Sequence, residues 1–65
     1  HMIDESLKGR RVLLIMASCN QLEESQPRKV EGLVLYVSTD MVGVQTGDKV
    51  EVVDKGWIVS IKILD

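Results

Sequence analysis

VEGLVLYVSTD (Val30–Asp40), MVGVQTG (Met41–Gly47), DKVEVVD (Asp48–Asp54) and KGWIVSIKILD (Lys55–Asp65) follow one another with almost no room for a helix. Each run is rich in Val, Ile or Leu, and turn residues close them: Asp40, Gly47-Asp48, then Asp54 to Gly56. Short β-rich runs separated by such turns predict an antiparallel meander. The 10 Val and 5 Ile of the chain agree, because β-branched side chains pack well on a pleated surface and lose rotamer freedom in a helix.

The period of two assigns faces within each run. Val30, Val34 and Tyr36 share one face of the second strand, and Leu33, Leu35 and Val37 share the other. Gly32 interrupts that strand with no side chain, the mark of a sharp bend or a close backbone approach. Met41–Thr46 puts Val42 and Val44 together, and Gly47 suits a turn at positive φ. The alternation over 49–54 predicts Val50 and Val52 inward. After a tight turn at Lys55-Gly56, Trp57, Val59, Ile61 and Ile63 fall on one face, with Ile58 and Leu64 on the other.

Ahead of the meander, residues 3–9 (IDESLKG) form the one plausible helix. Asp4 or Ser6 caps it, Ile3 and Leu7 share a face, and Gly9 ends it in a left-handed conformation. Such a short helix is unstable alone and must dock its apolar face. Arg10 and Arg11 lead into Val12–Met16, which is apolar at every position and so expects cover on both faces. Residues 20–29 (NQLEESQPRK) read as a long polar hairpin loop, with a short helical turn over 22–26 as the alternative.

Sixty-five residues make a single domain, expected over residues 3–65, with His1-Met2 read as a cloning remnant and start Met. A chain this small buries only about 60% of its unfolded surface and needs further stabilisation. Cys19 is the only cysteine and His1 the only histidine, so neither an internal disulfide nor a zinc site is on offer. Association with copies of itself remains. The doubled apolar faces point the same way: Leu33, Leu35, Val37 and Ile58 on a monomer surface would make a patch that soluble monomers avoid. The expectation is a ring or dimer whose sheet edges pair between subunits. No apolar run reaches the roughly 18 residues of a membrane span, and the lone thiol suits a cytoplasmic protein, with no membrane partner expected. A net charge of −2 argues against coating in nucleic acid through bulk charge, although a local basic patch is allowed.

This layout resembles the Sm/LSm (Hfq-like) small β-barrel family. The resemblance runs from Leu7 to Leu64: KGRRVLLI resembles the family's approach to its first strand. Val30-Glu31-Gly32 with Val34 resembles its second strand with the bending glycine, and Lys55-Gly56 ahead of WIVSI stands where the family carries Arg-Gly. It implies an all-β fold, a five-stranded strongly bent antiparallel Sm-like small barrel with a short N-terminal helix. It also implies a homo-oligomeric ring of roughly five to seven subunits that joins the fourth strand of one copy to the fifth of the next. Ungapped alignment from Gly32 places Ser38 and Val42 where the family commonly has the Asp and Asn of its uridine site, and Met41 on a hydrophobic or stacking position.

On that resemblance the Lys55-Gly56-Trp57 turn lines the central opening and works with Met41 and Thr39 of the other loop. Cationic rims with stacking surfaces bind single-stranded RNA or DNA. An ordinary hairpin turn with a solubilising Lys is the competing reading, and Trp57 reads first as a core cap or interface filler and only second as a stacking platform. Lys8, Arg10 and Arg11 form the densest basic cluster, able to hold phosphates or simply to pair with Asp4 or Glu5. Catalysis has no constellation to rest on, and the lone Cys19 lacks a base. No enzyme activity, metal or cofactor is expected. The function expected first is non-catalytic single-stranded RNA or DNA binding by a ring; the alternative is an adaptor that binds protein partners through its sheet edges.

Overall fold

The computed structural model describes residues 3–17 and 28–65. They form one antiparallel sheet of five strands: β1 (Arg11–Met16), β2 (Arg28–Val37), β3 (Met41–Thr46), β4 (Lys49–Asp54) and β5 (Ile58–Ile63). The order across the sheet is β4-β3-β2-β1-β5, so β4 and β5 are its two edges. The expected loop over 20–29 and Cys19 fall largely outside the described residues; β2 begins at Arg28, before the expected Val30.

The connection between the edges dictates curvature. In a flat sheet four strand spacings would separate β4 from β5 by roughly 19 Å. Only the 3-10 turn Lys55–Trp57 joins them, and at about 2 Å of rise per residue it spans roughly 8 Å. The sheet must curl until the end of β4 meets the start of β5. Arg28, at the start of β2, pairs with Glu51 on β4, two strands away in the sheet order. The curl stops short of a closed barrel, which corrects the expectation of closure: among the described residues β4 pairs only with β3, and β5 only with β1.

The concave side holds the core. Val12, Leu14 and Met16 of β1 pack with Val30 and Val34 of β2, Val42 and Val44 of β3 and Val53 of β4, while Leu7 closes one end. Gly32 shows why β2 tolerates no side chain there: a Cβ would sit 2.1 Å from the Gln45 carbonyl oxygen. That is the close approach the sequence predicts. The N-terminal helix shrinks to a 3-10 turn, Glu5–Leu7, which Asp4 caps by accepting from the Ser6 N–H at 2.9 Å. Gly9 follows it at φ 85°, in the left-handed region. Leu7 is buried and Ile3 packs on the core, so the short segment docks as its apolar pair requires.

Two bulges and one register overturn the simple alternation. Leu35 is an extra residue between the Val34–Val44 and Tyr36–Gly43 pairs, so Val37 turns onto the core and Tyr36 faces out over Gly43. Val59 is extra between the pairs of Ser60 and Ile58, so Ile58 and Ile61 both reach the core and Val59 lies 63% exposed. On β4 the pairing of Val42 with Val53 sets the parity. Val53 is therefore inside, and Val50 and Val52, expected inward, are exposed at 54% and 49%.

Surplus apolar surface is present, but not where the alternation placed it. Leu33, Leu35, Val37 and Ile58 are half-buried. Among the described residues the exposed aliphatic side chains are Val50 and Val52 on one edge strand, Val59 and Ile63 on the other, and Leu64 just past it.

Candidate nucleic-acid interface

Two turns meet at one end of the sheet. The β2–β3 loop is tied by Ser38, whose N–H donates to the Met41 carbonyl at 2.9 Å and whose hydroxyl oxygen accepts from the Met41 N–H at 3.1 Å. The β4–β5 turn is tied by Asp54, whose Oδ1 accepts from the Gly56 N–H at 2.7 Å. A short side chain that bonds backbone two or three residues on is the usual chemistry of such turns. The Lys55 N–H then donates to the Asp40 carbonyl at 2.8 Å, and Met41 pairs with Asp54 across the ladder. Thr39 and Met41 on one side and Lys55 and Gly56 on the other thereby lie in two adjoining turns.

Trp57 completes the turn, with its carbonyl accepting from the Ala17 N–H at 2.7 Å and the residue 45% exposed. Beside it lies a cavity of about 290 Å³ lined by Met16, Ala17, Arg28, Val52, Val53 and Asp54 together with Trp57. The charge of this end is mixed. Lys55 stands among the exposed carboxylate-bearing Asp40 and Asp54, and Arg28 is held by Glu51.

The structure does not join Lys8, Arg10 and Arg11 to Trp57. Arg11 opens β1 and Ala17 lies past its other end, roughly 20 Å of strand away. Arg10 is already engaged: its Nε donates to Asp65 Oδ1 at 2.9 Å, and the Arg11 N–H reaches Asp65 Oδ2 at 3.3 Å. The guanidinium of Arg10, with help from the Arg11 N–H, holds the Asp65 carboxyl below the usual carboxylate range. Asp4 is lowered as well, chiefly by the Ser6 hydroxyl and N–H, with a smaller pull from Lys55.

Residue-by-residue reading of the sequence missed four participants: Asp54, Arg28, Glu51 and Asp65. Asp54-Lys55-Gly56 carries a legible signal, since Asp two places before Gly favours this turn. Arg28 with Glu51, and Arg10 with Asp65, are long-range pairs that no local pattern announces. Among the described residues there is no cluster of three or more His, Cys, Asp or Glu suited to a metal, and no helix is long and apolar enough to cross a membrane. Compared with protein-family models, characterised proteins and solved structures, the chain matches none.

Proposed function

We propose that this chain is the subunit of a homo-oligomeric, Sm-like ring that binds single-stranded RNA or DNA without chemistry of its own. The observation that carries the reading is the strand order: it leaves β4 and β5 as unpaired edges, each flanked by exposed aliphatic side chains. These are the strands that the Sm/LSm resemblance joins between neighbours. Two different edges pair head to tail, and a head-to-tail contact closes into a ring when its rotation permits. Pairing would satisfy the free backbone groups and cover Val50, Val52, Val59 and Ile63 together.

In such a ring Thr39, Met41, Lys55, Gly56 and Trp57 repeat once per subunit, offering a cation and a stacking surface to each nucleotide. The contact between Asp40 and Lys55 supports this site, because it holds both turns in one place. The basic cluster of Lys8, Arg10 and Arg11 is a weaker partner, with Arg10 engaged by Asp65. Lys55→Ala tests the reading: oligonucleotide affinity measured by fluorescence anisotropy should fall, and its salt dependence should flatten. Unchanged binding removes Lys55 from the site. The mixed charge around the rim favours the second reading, an adaptor that adds a partner's strand to β4 or β5. An adaptor would give no oligonucleotide signal even at low salt.

A further inference from the structure

The free backbone groups of the two edge strands follow from the ladders behind them. Along an antiparallel ladder, residues alternate between turning their N–H and C=O toward the neighbour and away from it. The Lys55 N–H bonds to the Asp40 carbonyl, so the alternation turns Val53, Glu51 and Lys49 toward β3 and leaves the groups of Val50 and Val52 facing outward. The Leu64 N–H bonds to the Arg11 carbonyl, which turns Lys62 and Ser60 toward β1 and leaves the groups of Ile61 and Ile63 outward. The four outward positions are all apolar, and Val50, Val52 and Ile63 are exposed. Their sides differ. Val50 and Val52 lie on the convex side, opposite in parity to buried Val53, whereas Ile61 and Ile63 pair with buried Leu14 and Val12 and share the concave side.

We infer that β4 of one copy joins β5 of the next as an antiparallel ladder in one register: Val50 opposite Ile63, Val52 opposite Ile61, and Glu51 between them opposite Lys62. This rests on the ring reading and names its contact residue by residue. The register joins outward groups to outward groups and apolar side chains to apolar side chains. It also sets a carboxylate, already paired with Arg28, against the exposed Lys62 at a non-hydrogen-bonded position, where cross-strand side chains come closest. The neighbouring registers fail on charge. A slip of two residues one way opposes Lys49 to Lys62; the other way opposes Lys62 to Val53 and Asp54 to Ile61. A parallel seam would oppose Val52 to Ser60 or Lys62. Because the convex side of one copy continues into the concave side of the next, the curl reverses at each seam instead of winding up into one roll.

Disulfide trapping tests the register. Cα atoms of a non-hydrogen-bonded antiparallel pair lie about 4.5 Å apart, within the span of a disulfide. Lys49→Cys with Leu64→Cys, and separately Glu51→Cys with Lys62→Cys, place thiols at two such positions in a Cys19→Ser background. The control, Lys49→Cys with Lys62→Cys, is joined only by the slipped register. Lys49 and Leu64 are exposed, so the first pair serves even where loss of the Arg28–Glu51 contact unfolds the second. Under mild oxidation the first pair should give a ladder of multiples of 7.3 kDa on a non-reducing gel, and the control should stay at 7.3 kDa. Cross-linking of the control instead, or no cross-linking of either designed pair in a protein that sediments as an oligomer, overturns the register and leaves the ring. A chain that sediments as a single copy overturns both.

Discussion

Gly32→Ala probes the curl on which the two turns depend. The added methyl would lie 2.1 Å from the Gln45 carbonyl oxygen, 2.9 Å from its carbon and 2.9 Å from Val44 Cγ1. Two of those three atoms are backbone of β3, which cannot swing aside as a side chain can. Relief requires β3 to move away from β2 by about an ångström, which strains the Leu33–Gln45 and Val34–Val44 pairs and loosens the core above them. Overpacking of this kind costs about 1–3 kcal/mol, and one weakened ladder hydrogen bond adds roughly 0.5–1.5 kcal/mol. The expected loss is therefore about 2–4 kcal/mol. A chain of this length has only about 3–10 kcal/mol in total, so the variant should lose a large share of its stability. Urea denaturation followed by far-ultraviolet circular dichroism, at one fixed protomer concentration, measures the difference. A loss below about 1 kcal/mol would mean that β2 and β3 are not this close, and the account of the bend would be wrong.

Other perturbations give smaller or more local effects. In Gly43→Ala the clash is with the Tyr36 ring, 40% exposed and free to rotate, so the loss should be smaller than for Gly32→Ala in the same urea experiment; an equal loss would contradict the outward placement of Tyr36. The Arg10–Asp65 contact should respond to acid. The folded-state pKa of Asp65 lies below its unfolded value, so the contact contributes above that unfolded value and is lost as pH falls through the folded one. The Arg11 and Leu64 amide resonances should hold steady from neutral pH and shift only below about pH 4. A transition well above that range would show that Asp65 is not bound to Arg10.

Much of the fold is legible in the chain because each strand run ends at a turn residue whose chemistry fixes it. Gly47 takes φ 69° and Gly32 admits a neighbouring backbone, both for reasons readable from the residue alone. What alternation cannot supply is parity after a bulge. KVEVVD offers Val50 and Val52 on one face and Val53 on the other, and only the pairing with Val42 decides between them. Leu35 and Val59 shift their strands by one residue without any glycine or proline to announce it. The site divides the same way. Met41 and Lys55 meet because the β3–β4 ladder sets Asp54 opposite Met41 and the Lys55 N–H on the Asp40 carbonyl, with Thr39 in the same loop. The walls of the Trp57 cavity come from β1, β2 and β4, whose meeting depends on how far the sheet curls.

The proposed ring places this chain among copies of itself, and the exposed aliphatic side chains of β4 and β5 are the physical reason. Sedimentation equilibrium over a wide range of protein concentration measures that directly. The expected species is a multiple of the 7.3 kDa chain that persists on dilution and dissociates when Val52→Lys places a charge on the β4 edge. A single 7.3 kDa species at the highest concentration would contradict the shared edges, and with them the ring.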